Sequence, residues 1–158
     1  IFNMHDLIKH IVKNIGISLL VIITVLISTH ANSEQSAEDI IKNRKALFSK
    51  NYNTVKKVQS LSSSGDFDGA KKLMLEMSEN YKTLKEMFPD NTKEGFKTEV
   101  TALVWEEKDK FNSLMEKSSN DMIELASIIE NSDNIRGSLG KLMWSNCKAC
   151  HSKYRLPH

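Results

Sequence analysis

Four segments of the chain repeat their apolar residues at three- and four-residue spacings, and this periodicity constrains the fold more than any other feature of the sequence. Such spacing places apolar side chains along one face of an α-helix. It predicts helices at residues 36–61, 67–87, 97–130 and 135–154, and little of the chain indicates a strand. Because the connections are short, the expected fold class is all-α, an antiparallel up-down-up-down four-helix bundle.

Residues at the ends and on the faces of these segments support the helices. Ser36 followed by Asp39 is similar to a capping box, and Asp66 follows a serine- and glycine-rich break where it can cap the next helix. Met74 and Met77 lie on the apolar stripe of the second segment. We interpret both methionines as core residues rather than as ligands of a metal or a cofactor.

The first 31 residues have the features of a secretory signal peptide. Two lysines precede an uncharged apolar run at 15–27, and a small-x-small cleavage site ends at Ala31. The 13 residues of this run are fewer than the roughly 20 that a membrane-spanning helix needs, which favours cleavage over the alternative of a retained anchor. We therefore expect a signal peptide at 1–31, a mature domain at 32–158, and export to the periplasm.

Charge and composition exclude some classes of function. The net charge is only +2 at pH 7, and lysines alternate with glutamates along the helical segments. Because no basic block results, the sequence predicts no nucleic-acid partner. It also contains no Ser-His-Asp set, metal–carboxylate cluster or phosphate-binding loop, so an enzyme in the usual sense is not expected.

The last helical segment contains a C-x-x-C-H motif from Cys147 to His151. On a helix, three- and four-residue spacings project Cys147, Cys150 and His151 from one face. Two thiols placed in this way can add to the two vinyl groups of a porphyrin, while the imidazole binds the iron. The motif therefore predicts one haem c, attached through Cys147 and Cys150, with His151 as the axial iron ligand.

Two other uses of the same residues are open to the sequence. A thioredoxin-like redox pair also uses C-x-x-C, but it requires a βαβ context that the helical pattern lacks. A structural zinc site needs about four ligands, and the mature chain offers Cys147, Cys150, His151 and His158. Haem attachment is favoured over both, and it agrees with export because haem c is attached outside the cytoplasm in bacteria.

The position of the motif on the last helix resembles the cytochrome c′ family, the four-helix-bundle class of c-type cytochromes. The resemblance covers residues 36–155, and its marks are Arg44, Phe88-Pro89, Val104-Trp105 with Phe111, and the run 147–155. It implies a single haem attached near the C-terminus of the last helix.

The resemblance also identifies a distal position on the first helix, four residues after Arg44, and this position is Phe48. Similar low-spin electron carriers have Met there, whereas this sequence has no Met or His between Ala37 and Ser62. Since Phe cannot bind iron, the resemblance implies a five-coordinate, high-spin haem whose open face binds nitric oxide or carbon monoxide. The expected function is gas binding, electron transfer or both. The alternative for Phe48 is an ordinary core residue.

Two arginines and two further properties complete what the resemblance implies. Arg155, four residues after His151, would lie over the proximal face of the haem, and Arg44 would lie near a propionate. The alternative for each arginine is a solvated surface position. Members of the family often pair as homodimers through their first two helices, which makes a homodimer possible for this chain, although its own residues do not decide the question. The alternative function is a low-spin electron-transfer cytochrome with another sixth ligand and a redox protein as its partner.

Overall fold

A computed structural model describes residues 35–157, and most of this range is helical. The helices are α1 (Ala37–Ser64), α2 (Phe67–Lys85), α3 (Leu103–Glu106), α4 (Lys108–Ile128), α5 (Ile135–Leu139) and α6 (Ser145–Tyr154). A π-helical turn, Gly140–Trp144, joins α5 to α6, and 3-10 turns lie at Asp90–Thr92 and Ile129–Asn131. The predicted all-α bundle is confirmed, with α1, α2, α4 and the α5–α6 unit as its four helices.

The helix ends form where the capping residues predict them. The Ser36 hydroxyl accepts a hydrogen bond from the backbone N–H of Asp39 at 3.1 Å. Gly65 ends α1 with a φ of +84°, a left-handed conformation that glycine adopts without a steric cost. Asp66 follows directly and caps α2 by accepting a hydrogen bond from the N–H of Gly69 at 2.9 Å. The chain therefore reverses between α1 and α2 within two residues.

The predicted apolar stripes meet in the core of the bundle. Met74 and Met77 are both 0% exposed, so their interpretation as core residues is confirmed. The rings of Phe88 and Phe111 pack edge to face with centroids 4.7 Å apart. Other buried members of the stripes are Ile41, Val55, Val58, Ala70, Leu84, Val104, Met115, Met122, Leu125 and Ile129.

The third helix begins later than the periodicity predicts. Its helical pattern starts at Lys97, whereas α3 begins at Leu103 and the backbone breaks again at Glu107, with φ −119° and ψ 42°. Phe96 and Lys97 have φ values of 48° and 55°, which a right-handed helix does not contain. The predicted start at Lys97 is wrong because contacts with remote parts of the chain, rather than local periodicity, determine the conformation of this segment.

The segment in question, residues 97–101, is called the strap here because it is bound on two sides. On one side the Thr98 hydroxyl accepts a hydrogen bond from Arg44 of α1 at 2.6 Å. On the other side Val100 forms an isolated antiparallel bridge with Arg155, the residue that follows α6. The strap therefore connects the first helix to the helix that carries the C-x-x-C-H motif.

The predicted signal peptide at 1–31 lies outside the described residues, as does His158. Export and cleavage therefore stay predictions. Across residues 35–157, no helix combines the length and the apolar character needed to cross a membrane.

Candidate cofactor site

A cavity of about 590 Å³ lies between the helices beside the strap. Its walls come from α1, α2, α4, α6 and the strap. Cavities of roughly 300–1,000 Å³ accommodate small molecules and cofactors. This one is lined by all six residues that the sequence predicted for the site: Arg44, Phe48, Cys147, Cys150, His151 and Arg155.

The two thiols of the motif are partly buried in the cavity wall. The Cys147 thiol donates to the carbonyl of Met143 at 3.6 Å. Burial raises the pKa of Cys147, and burial together with the neighbouring Cys147 raises the pKa of Cys150 to about 12. Both side chains are therefore thiols rather than thiolates at neutral pH, which makes them slow to react with oxidants in solvent.

Side-chain hydrogen bonds fix α6 as it leaves the π-helical turn. Ser145, Asn146 and Cys147 each donate to the carbonyl four residues earlier. Asn146 also donates to the Asp121 carboxylate of α4 at 2.8 Å, and Asp121 forms an ion pair with Lys117. Because Asn146 precedes Cys147 directly, this buried polar cluster anchors the thiol-bearing helix to α4.

Phe48 of α1 and His151 of α6 bring their rings together in the cavity. The ring centroids are 6.3 Å apart, and the planes are inclined at 62°. Phe48 also contacts the ring of Phe88, with centroids 6.5 Å apart, and packs against the core. Phe48 is thus both a core residue and part of the cavity wall. Its place on the distal side of an iron bound to His151 stays a prediction.

Arg44 is not a solvated surface residue, since it is only 1% exposed. It donates to the carbonyl of Met87 at 3.2 Å, to the hydroxyl and carbonyl of Thr92 at 2.9 and 3.1 Å, and to the Thr98 hydroxyl at 2.6 Å. Its guanidinium carbon lies 4.6 Å from the centroid of the Phe88 ring.

Burial lowers the pKa of Arg44 to about 10, and the four acceptors of its terminal nitrogens are all neutral. These bonds do not involve its Nε–H. A buried cation at a cavity wall is suited to bind a carboxylate, because charge-assisted hydrogen bonds are the stronger ones. The predicted contact with a propionate is compatible with this position and stays a prediction.

Arg155 lies at the rim of the cavity and is held there by the strap. Its Nη2 is 3.2 Å from Oε2 of Glu99, and Oε1 of Glu99 is 3.9 Å from Nζ of Lys45 on α1. The strap therefore connects α1 to the end of α6 through side chains as well as through the backbone. The predicted position of Arg155 over the proximal face of a haem stays a prediction.

Several residues of the cavity wall were not predicted as site residues. Tyr81 is 7% exposed, and its hydrogen bond with Cys147 partly offsets the effect of burial on the pKa of that thiol. Met115 is the one methionine that lines the cavity among the described residues. Both residues lie on predicted apolar stripes, and this periodicity is the sequence signal that could have identified them as residues of the cavity wall. Thr98 and Glu99 carry no such signal because the strap is irregular.

The donor set suits a covalent haem better than the two alternatives. Two thiols and an imidazole on one helix match the attachment and ligation of haem c, and a buried guanidinium on the same wall suits a propionate. Within residues 35–157, no three side chains of His, Cys, Asp or Glu are grouped as a metal site would require. The described helices also lack the βαβ context of a thioredoxin-like pair.

Comparisons with known proteins agree with this interpretation. The family model described as cytochrome c′ matches residues 39–155. A curated cytochrome c′ from Rhodopseudomonas palustris is 28% identical over 120 residues, which cover 74% of this chain and 82% of the relative. The crystal structure of cytochrome c′ from Rubrivivax gelatinosus matches with a TM-score of 0.65 and 23% identity, covering 77% of this chain and 98% of that one.

A nitric oxide complex of a cytochrome c′ variant from Alcaligenes xylosoxidans is also similar in structure. It matches with a TM-score of 0.66 and 17% identity, and it covers 78% of this chain and 99% of that one. Both structural matches have the same bundle architecture as the chain described here.

Proposed function

Since the chain belongs to the cytochrome c′ family, whose members carry one covalent haem c, we propose that it is a periplasmic monohaem cytochrome that binds nitric oxide or carbon monoxide at a five-coordinate, high-spin haem. In this proposal Cys147 and Cys150 attach the haem, and His151 is its axial ligand. Phe48 walls the open face, and the protein is a gas-binding or redox cytochrome rather than an enzyme.

The observation that carries the proposal is the phenyl ring of Phe48 beside His151, with ring centroids 6.3 Å apart. Phe48 has no atom that can bind iron, and α1 contains no Met or His at any position. A haem iron with a single protein ligand can take a diatomic molecule at its other axial position. The nitric oxide complex of the Alcaligenes xylosoxidans variant supports a diatomic ligand of this kind.

The residues around the cavity have separate roles in this proposal. The thiols of Cys147 and Cys150 fix the group to α6, whose orientation the Asn146–Asp121 contact secures. Arg44 supplies a buried cation for a propionate. Phe48, packed against Phe88, keeps water and anions away from the open face, because a polar group transferred there would lose its hydrogen bonds.

A low-spin electron-transfer cytochrome is the second candidate, and Met115 is the observation in its favour. Met115 lines the cavity from α4 and is 2% exposed. A methionine thioether is a common axial ligand in electron-transfer cytochromes. In this case the partner would be a redox protein rather than a dissolved gas.

Absorption and electron paramagnetic resonance spectra of the haem-loaded protein distinguish the two candidates. We expect a high-spin ferric spectrum and a ferrous form that binds carbon monoxide. Phe48→Met is expected to shift the spectrum towards low spin, because it places a sulfur ligand at the position that the proposal assigns to the open face. Met115→Leu, the matched control, is expected to leave the spectrum high-spin. A low-spin wild-type protein that becomes high-spin in Met115→Leu would overturn the proposal in favour of the second candidate.

We also propose that residues 1–31 are removed on export and that the mature chains pair through α1 and α2. Membership of the family supports both statements. Sequencing the N-terminus of the mature protein from the periplasmic fraction checks the first, and sedimentation equilibrium checks the second. An N-terminus upstream of the apolar run, or a monomer at all concentrations, would contradict the respective statement.

A further inference from the structure

A smaller groove of about 380 Å³ lies beside the cofactor cavity, at the end of α2 and the start of α4. We call it the Trp105 groove; Trp105, Lys108 and Asn112 are among the residues that line it. Among the described residues, Phe88 is the one that lines both the groove and the cofactor cavity. Phe88 as a whole is 3% exposed. Phe88 therefore forms the partition between the groove and the cavity.

The ring of Phe88 has a different aromatic neighbour on each side of this partition. On the cavity side it contacts Phe48, with centroids 6.5 Å apart. On the groove side it contacts Trp105, with centroids 6.2 Å apart. A path from the groove past Phe88 thus leads to Phe48, which lies on the side of the haem that the proposed function assigns to the gas ligand.

We propose that Phe88 is a gate through which small uncharged diatomic molecules reach the Phe48 side of the haem. This inference rests on the proposed function. A phenyl ring at the partition favours nitric oxide and carbon monoxide over cations, because a cation that passes it loses its hydration close to the positively charged Arg44 guanidinium. The gate therefore determines which molecules reach the haem and how fast they do so.

The contacts of Phe88 restrict the opening motion to its side chain. The Phe88 carbonyl accepts hydrogen bonds from Nε1 of Trp105 at 3.1 Å and from Nζ of Lys108 at 3.0 Å, so the backbone is held. The ring lies beneath the Arg44 guanidinium, whose carbon is 4.6 Å from the ring centroid, and it packs edge to face on Phe111. These contacts favour the closed position, so the gate limits the rate of passage in both directions.

Carbon monoxide kinetics test the gate on the reduced, haem-loaded protein. Association is measured by stopped flow, and dissociation by displacement with nitric oxide. Phe88→Ala is expected to raise both rate constants about tenfold, which corresponds to a barrier lower by about 1.4 kcal/mol. Kd stays nearly unchanged, because a gate acts on passage and not on the bound state. Phe88→Leu is expected to raise both rate constants by a smaller factor, and it replaces the alanine variant in the test if that variant does not fold.

A second variant narrows the route without changing the gate. Asn112→Met enlarges a side chain of the groove, and among the described residues Asn112 Oδ1 has no hydrogen-bond partner. The substitution therefore gives up no hydrogen bond at this atom, and it is expected to lower both rate constants.

Leu75→Ala is the matched control, because Leu75 lines neither the cofactor cavity nor the groove and is 49% exposed. Its rates are expected to equal those of the wild-type protein. Unchanged rates in the Phe88 and Asn112 variants would overturn the gate in favour of access through the exposed rim of the cavity, where Tyr52 is 54% exposed. A wild-type protein that binds no carbon monoxide would overturn the proposed function, and the gate with it.

Discussion

Replacing Arg44 with methionine removes a buried cation that connects α1 to the chain beyond α2. The variant keeps an unbranched side chain of similar reach but loses every donor. The acceptors left behind belong to Met87, Thr92 and Thr98. Thr92 is 0% exposed. Its hydroxyl keeps its hydrogen bond to the Pro89 carbonyl at 2.8 Å, but its carbonyl oxygen loses the guanidinium donor.

The size of the effect follows from two carbonyl acceptors, those of Met87 and Thr92. Each buried acceptor left unsatisfied costs about 1–3 kcal/mol, so these two carbonyls account for roughly 2–6 kcal/mol. Removing the desolvation cost of the buried guanidinium offsets part of this loss. We therefore expect Arg44→Met to lower the free energy of unfolding by about 2–4 kcal/mol. Because Thr98 also loses its contact, the strap is expected to exchange its amide hydrogens faster.

Urea unfolding of the haem-loaded protein, followed by circular dichroism, measures this loss. Arg136→Met is the matched control, because Arg136 is exposed on α5 and its replacement is expected to change stability by no more than about 0.5 kcal/mol. Arg44→Lys retains the charge but offers a single nitrogen, so an intermediate value is expected. Equal stabilities of Arg44→Met and Arg136→Met would refute the argument from buried acceptors.

Two further predictions concern the backbone and acid stability. Gly65→Ala is expected to destabilise the protein by about 1–2 kcal/mol, because the φ of Gly65 is +84°. Gly140→Ala is expected to stabilise the protein by about 0.5–1 kcal/mol, because the φ of Gly140 is −60°. Thermal unfolding of both variants measures the two effects, and a change of the same sign in both would contradict the prediction. Hydrogen bonds from Lys153 above all, and also from Tyr154, lower the pKa of Glu107 below its ordinary value of 4.5. Glu107 therefore stabilises the fold above pH 4.5, and this contribution is lost as the pH falls through its folded pKa. Glu107→Gln is expected to weaken the fall in stability on acidification, and parallel stability curves for variant and wild type would argue against it.

Features that arise from neighbouring residues were determined by the sequence alone. The periodicity that buries Met74 and Met77 in the core acts over three or four residues, as does the capping of α2 by Asp66. The spacing of Cys147, Cys150 and His151 is likewise a property of one helix. The bundle class and the haem motif could be predicted because such short-range patterns do not depend on the partner of the helix.

The tertiary structure alone decided which remote segments meet. Arg44 contacts Thr92 and Thr98, which follow it by 48 and 54 residues, and these contacts help to prevent the helix predicted from Lys97. Nothing near Arg44 in the sequence distinguishes a buried guanidinium from a solvated one, because burial depends on acceptors that only folding brings close. The same reason explains why the sequence indicated Phe88 only as part of the Phe88-Pro89 mark of the family, whereas the fold places its ring between a surface groove and the cofactor cavity.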